Sequence, residues 1–327
     1  MKKLLINFLS KIPCINRYFS GIATIFMLHR VAPFEKDRLL PNENMKVPPD
    51  FLEKFILELK NEGYEFISLD ELYDILKNQK KVNKKIIFTL DDGYKDNYEI
   101  AYPIFKKHNV PFTIYLTTSF PDKNALLWWY VLEDLIIKND ELIVGNIRYV
   151  CKTYEDKNKV FLEIRNKILK LDQKNLLKEL NTLFKNYKID WFSKNNQLCM
   201  SWEDVINLSK DSLCTIGNHT KNHYVFNKLS EDEIIDEVEG ANKKIEEKIG
   251  KKVEHFAFPY GGKDEVGLRE FQIIKRFNFK TVTTTRRGNI YLEHKNFLNC
   301  CLPRIMLVDK FRISDIGRIR KQRVVTV

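Results

Sequence analysis

Two segments of the chain, Thr89-Leu90-Asp91-Asp92-Gly93 and His219-Thr220-Lys221-Asn222-His223, each close an apolar run and together supply two carboxylates and two imidazoles. Oxygen and nitrogen donors of this kind suit a divalent cation of the zinc type, and three protein ligands leave one position open to water. The spare carboxylate is then free to act as the base on that water. The adjacent aspartates would face opposite sides of a continuing strand, but Gly93 permits the sharp change of direction that lets both reach one site. His219 and His223, four positions apart, are expected to stack on one face of a helical turn starting near Thr220. Each segment alone has a plainer reading, an Asp-Asp-Gly turn in one case and two unrelated histidines in the other. The chain holds only six histidines, which makes their pairing informative.

The elements that must position these groups read as alternating strands and helices. Apolar, β-rich runs cover 23–28, 85–90, 112–117, 213–216, 255–258, 281–285 and 301–307, with a further short strand at 64–67. Helical patterns cover 51–62, 70–78, 97–108, 230–249 and 268–277, with a capping-box start at Ser230 and a stop at Gly250. Such alternation implies parallel strands joined by right-handed crossovers. His29, Asp91, Asp92, His219, Pro259, Tyr260 and Arg304 all fall at or just after the ends of different runs. Convergence of strand ends on one mouth favours a deformed α/β barrel of about seven parallel strands over an open sheet. The expected organisation is an amphipathic N-terminal segment over 1–20, a barrel over 21–120 and 201–308, a mostly α-helical insertion over 121–200, and a basic tail over 309–327. The basic stretch 311–323 reads as a surface helix. Trp128 and Trp129 open the insertion and are candidates to line a substrate groove, although such clusters also serve simple burial.

In sequence order, Thr89 to Gly93, Gly217 to His223 and Phe258-Pro259-Tyr260-Gly261 resemble the motifs of NodB-homology polysaccharide deacetylases, carbohydrate esterase family four. Met27-Leu28-His29-Arg30-Val31 is similar to the branch acting on poly-N-acetylglucosamine. The likeness spans roughly 22–118 and 201–308. It implies a deformed barrel and a hydrolytic N-deacetylase. It also implies metal ligation by Asp92, His219 and His223, with Asp91 as general base and the Tyr260 backbone N–H on the oxyanion. Pro259 would stiffen that loop and border the substrate. Many family members carry an arginine where this chain has Ala257, and Arg304, leaving another strand end, is the expected replacement that orients Asp91. The late histidine that protonates the leaving amine in many members has no counterpart near 302–308. In the poly-N-acetylglucosamine branch an early histidine takes that role, which the resemblance assigns to His29 here, and histidine is well matched to it.

The 327 residues are 44% apolar and 12% aromatic, enough for a large core. A net charge of +11 favours an anionic partner. The scattered lysines and the lack of a nucleic-acid signature exclude nucleic acid as the expected one. Cys14, Cys151, Cys199, Cys214, Cys300 and Cys301 show no metal or disulfide spacing, so reduced thiols are expected. Lys2 and Lys3 precede Leu4, Leu5, Phe8, Leu9 and Ile12, an apolar face that suits a bilayer interface or the protein's own surface. The expected function is metal-dependent deacetylation of an N-acetylated sugar, in a glycan or a lipid-linked precursor at the cytoplasmic face of an anionic membrane. The alternatives are an extracellular polymer deacetylase, a catalytically weak carbohydrate-binding barrel and an amide hydrolase acting on non-sugar substrates. Zinc is the default cofactor from donor type.

Overall fold

The computed structural model describes residues 20–318; the amphipathic start and the end of the basic tail lie outside the described residues. Seven strands form a parallel barrel: β1 (Ala23–Leu28), β2 (Lys85–Asp92), β3 (Phe112–Leu116), β4 (Cys214–Asn218), β5 (His255–Ala257), β6 (Thr281–Arg287) and β7 (Leu302–Met306). Each pairs with its neighbour in sequence, and β7 and β2 both flank β1, so the ring closes. Closure gives every barrel strand a partner on both sides, and the two-residue strand Glu65–Phe66 pairs beside the start of β2. The ring is deformed where β4 meets β5 through a single partnered position, and where the β6–β7 register shifts between Thr283 and Arg287.

The strands were readable as apolar runs because both faces are buried. Phe26, Phe88, Leu90, Phe112, Ile114 and Phe256 face outward into the layer beneath the helices. Ile25, Ile87, Tyr115, Ala257 and Leu302 face inward and fill the barrel. The outer helices include α1 (Pro49–Asn61), α2 (Leu69–Lys77), α3 (Tyr102–Lys107), α4 (Trp128–Ile137), α5 (Tyr154–Ile168), α6 (Leu176–Leu183), α7 (Trp202–Lys210), α8 (Glu231–Ile249) and α9 (Leu268–Ile274). Ser230 caps α8 in a reciprocal box with Glu233, and Gly250 ends it in the left-handed conformation. The helix expected over 97–108 is split: Asn97–Ala101 is a π-turn ahead of α3. Pro103, near the start of α3, has no N–H to give to the preceding turn, and the wider turn accommodates it.

The segment between β3 and β4 packs a core of its own from Trp128, Leu132, Leu142, Phe161, Ile164 and Trp191. It is not helical throughout. Glu141–Val144 and Ile147–Val150 form an antiparallel hairpin around Gly145, whose φ of 62° suits the tight turn. Strands of four residues in a Lys- and Glu-rich stretch give a weak period-two signal, which is why the sequence does not reveal this hairpin within a mostly helical segment. Arg38, on the loop after β1, ties this unit down through Glu133 and Asp134, each at 2.6 Å. The tail also departs from a surface helix. Its described part is a short 3-10 turn, Ile313–Arg318, and Phe311 is buried with its ring 5.3 Å from that of Phe26. Among the described residues no helix is long and apolar enough to cross a membrane.

Candidate active site

Register carries the key residues to one level of the barrel mouth. Asp92 lies beside Leu116, and Leu116 beside Asn218, so β2 and β4 end together with β3 between them. His219 follows immediately, its backbone N–H donating to the Leu116 carbonyl at 2.9 Å. At the end of β2, Asp92 takes φ 79° and Gly93 φ 109°, turning the chain so that Asp91 and Asp92 serve one pocket from different directions. A side chain at position 93 would meet Leu116 Cδ1 at 2.6 Å, so the turn needs glycine twice over.

The histidine pair does not sit on a helical turn. The stretch after Asn218 is irregular, with Thr220 at φ 69° and His223 at φ 59°. Side chains hold it there. Asn218 Oδ1 accepts the Thr220 N–H at 2.6 Å, and Thr220 Oγ1 accepts the His223 N–H at 3.1 Å. These local bonds compete successfully with a helix. Buried Glu237, on α8, then accepts the N–H groups of Lys221 and Asn222 and the Asn222 amide. The two imidazoles still meet, their ring centres 5.0 Å apart.

Asp92, His219 and His223 bring three donor atoms within 4.8 Å of one another. Asp92 Oδ1 stands 3.4 Å from His219 Nε2 and 3.2 Å from His223 Nε2. Direct charged hydrogen bonds run shorter, about 2.7–2.9 Å. Ligands about 2.0–2.1 Å from a tetrahedral zinc stand roughly 3.3 Å apart, which is the observed spacing. His219 Nδ1 lies 2.8 Å from the Ala257 carbonyl, which fixes the proton there and leaves the Nε2 lone pair for a cation. Asp92 Oδ1 is buried without a hydrogen-bond donor. The residues therefore fit a divalent cation. Burial pushes the Asp92 carboxyl up, but His223 and His219 outweigh it and hold it well below the usual carboxylate range.

Asp91 is buried and gripped from below by Arg304, which is fully buried on β7. The guanidinium donates to both carboxylate oxygens at 2.6 and 2.7 Å, to Thr89 Oγ1 at 3.1 Å and to the Thr284 carbonyl at 3.0 Å. It also lies over the Tyr115 ring at 5.4 Å. Burial raises the Asp91 carboxyl, and Arg304 more than reverses this, so the net displacement is downward. Ala257 meanwhile points into the barrel core beside Tyr115 and Leu302.

A cavity of about 270 Å³ opens over these groups. His29, Asp91, Asp92, His219 and His223 line it, and so do Trp128, Trp129 and Tyr260. His29 Nδ1 is buried without a partner, and burial lowers the affinity of the ring for a proton more than the two aspartates restore it. Its carbonyl is held by Asn97 Nδ2 at 2.8 Å. Tyr260 has φ 59° and its ring centre lies 4.8 Å from that of His223. The Thr285 hydroxyl donates to the Tyr260 carbonyl at 2.6 Å, while the Tyr260 N–H takes no partner among the described residues. Pro259 is buried and is not among the residues lining the cavity; its carbonyl accepts the Gly261 N–H at 2.6 Å, so it shapes the turn that carries Tyr260. Trp128 is buried in the insertion's core as well as facing the cavity, and Trp129 donates to Tyr94 Oη at 3.2 Å. Sequence reasoning missed Glu237, although a carboxylate within the buried stripe Ile234, Val238, Ala241 and Ile245 is a readable anomaly. It also missed Arg165, which nothing in the sequence distinguishes from its basic neighbours.

A closed parallel barrel whose C-terminal mouth presents a three-donor cation cluster beside an arginine-clamped carboxylate has the equipment of a metal-assisted hydrolase. The polysaccharide deacetylase family model matches residues 78–280, and the chain belongs to that family. YxkH of Bacillus subtilis (strain 168), provisionally named as a polysaccharide deacetylase, is 35% identical over 74 residues, 22% of this chain and 26% of that protein. The chain thus matches about a quarter of that curated relative's length. The fold is similar to that of the Streptococcus pyogenes deacetylase PplD, solved in complex with acetate (TM-score 0.59, 18% identity, 88% of this chain and 93% of the other). It is also similar to that of IcaB from Ammonifex degensii (TM-score 0.56, 17% identity, 91% and 97%).

Proposed function

We propose that this protein removes the acetyl group from an N-acetylated amino sugar by metal-dependent hydrolysis, releasing acetate and a free amine, with the sugar carried in a glycan or a lipid-linked glycan precursor. The observation that carries this reading is the pairing of two differently held carboxylates in one cavity. Asp92 faces two imidazoles at ligand spacing, whereas Asp91 is locked by Arg304. A divalent cation held by Asp92, His219 and His223, zinc by donor type, would supply Lewis-acid polarisation of the acetyl carbonyl and acidify a water.

The protein's own residues do the rest. Asp91 accepts the water's proton; Arg304 occupies one lone pair on each oxygen, which leaves others free and keeps the group ionised. The Tyr260 N–H, fixed by its turn, donates to the developing oxyanion. His29 gives a proton to the nitrogen as the carbon–nitrogen bond breaks, because an unprotonated amide nitrogen leaves poorly. Trp128 and Trp129 offer flat apolar faces to a sugar ring.

The test is acetate release, with the free amine counted, from an N-acetylglucosamine oligomer, peptidoglycan fragments and a lipid-linked N-acetyl sugar. Turnover of at least one supports the reading; hydrolysis confined to non-sugar amides overturns it. The amphipathic start and the net charge of +11 support action at the cytoplasmic face of an anionic membrane. That part predicts salt-sensitive sedimentation with anionic vesicles, and absence of binding at low salt removes it without touching the chemistry.

A further inference from the structure

Of the cations lining the active cavity, Arg165 alone has no work in the mechanism above. It projects from α5 of the insertion into the same cavity as Asp92, His223 and Tyr260. Its guanidinium has no hydrogen bond and no carboxylate within 4.0 Å among the described residues. By contrast, Arg30, Arg38 and Arg304 are each satisfied by an acid at 2.6 or 2.7 Å, and Arg286, which has no acid, donates to the Val266 carbonyl and lies over the Phe271 ring. Glu265 and Tyr260 are near enough to sense its charge, yet neither reaches it. Arg165 is half-buried, and the apolar residues Phe161 and Trp128 share the cavity wall with it. A partly buried fork of five donors without an acceptor is matched by a planar or tetrahedral oxyanion on a ligand.

The charges on the cavity floor do not claim it. Asp91 is balanced by Arg304, and Asp92 belongs to the cation cluster. A neutral N-acetyl sugar would leave Arg165 facing the cavity unmatched, whereas a sugar bearing an acidic group would fill the fork. We infer that Arg165 is a specificity-determining residue that recognises an anionic substituent, a phosphate or a carboxylate, on the N-acetylated sugar. The inference rests on the deacetylase reading above and adds the charge of its substrate. The insertion thereby contributes to substrate choice while the barrel contributes the chemistry.

The experiment measures acetate release from three probes: a neutral N-acetylglucosamine oligomer, N-acetylglucosamine 1-phosphate and N-acetylmuramic acid. The wild type and the variants Arg165→Gln and Arg165→Lys are compared with each. Expected for wild type is kcat/KM at least tenfold higher for one or both anionic probes than for the neutral one, and the phosphate and carboxylate arms separate the two sources of charge. Arg165→Gln should raise KM for the preferred anionic probe by roughly tenfold or more, leave its kcat within about twofold and leave the neutral probe unchanged. Arg165→Lys should recover part of the loss, since it keeps charge without the fork. Equal loss on neutral and anionic probes would show a merely structural role and overturn the inference. So would a wild-type enzyme that turns over the neutral oligomer with no preference for charge, a result that leaves the deacetylase reading standing. Absence of turnover on every probe, with turnover of non-sugar amides, would overturn that reading instead.

Discussion

Replacing Arg304 by methionine keeps much of the side chain's volume and removes its charge and all its donors. Four hydrogen bonds disappear together: two to Asp91, one to Thr89 Oγ1 and one to the Thr284 carbonyl. Both partners of the ion pair are essentially inaccessible, at 0% and 1% side-chain exposure, so water cannot replace the lost cation. Breaking a buried pair from one side typically costs about 3–5 kcal/mol, because the surviving charge stays desolvated. Urea unfolding of Arg304→Met should show a loss in that range. Turnover should fall as well, since Asp91 loses the clamp that sets its rotamer. The double variant Asp91→Asn with Arg304→Met carries no unpaired buried charge, and a double-mutant cycle should give a coupling of about 2 kcal/mol or more. A loss below about 1 kcal/mol, with coupling near zero and full activity, would refute the assignment of Arg304 as the group that holds Asp91.

Two further outcomes follow from contacts away from the cation cluster itself. Glu237→Gln removes a carboxylate that accepts two backbone N–H groups of the loop bearing His223; cation affinity by calorimetry should fall roughly 10–100-fold, and an unchanged affinity would show that the loop holds its shape alone. Asp70 caps the opposite end of the barrel, where His255 first and Lys280 second hold its carboxyl well below the usual range. A carboxyl depressed in the folded state stabilises above its unfolded value, near pH 4, and that contribution is lost as pH falls through the folded value. The group is 45% exposed, so Asp70→Asn should cost only about 1 kcal/mol at pH 7, and the gap in Tm from wild type should narrow by pH 3. A gap independent of pH would contradict this.

The barrel was legible in the sequence because its strands are buried on both faces and its polar residues cluster at strand ends. Arg304 could be placed on Asp91 for the same reason: both leave strands toward one mouth. The family match ends at residue 280 and begins at 78, so it covers neither Arg304 nor His29. Their positions come from strand order and closure of the ring. The loop carrying His219 and His223 was misread, since four-residue spacing suggests a helical turn. Asn218 and Thr220 instead use their short side chains to cap backbone N–H groups and force a left-handed bend. Spacing alone does not reveal such side-chain competition. The hairpin around Gly145 was hidden by its brevity, and Arg165 by its basic neighbours on α5.

Four of the nine described non-glycine residues with positive φ, Asp92, Thr220, His223 and Tyr260, gather at the barrel mouth, where surrounding contacts hold them. Those contacts are the Thr117 N–H on the Asp92 carbonyl, the Asn218 and Thr220 side chains, Glu237 and Thr285. The strain aims donors and a backbone N–H at one cavity, which links local conformation directly to the proposed chemistry.

The most direct test of the two-carboxylate account is to measure bound metal and acetate release on the same preparation of Asp91→Asn. The account predicts about one divalent cation per chain, as in wild type, with turnover of an N-acetylated sugar reduced roughly 10²–10⁴-fold. Loss of the cation along with activity, or retention of both, would contradict the division of labour between Asp91 and Asp92.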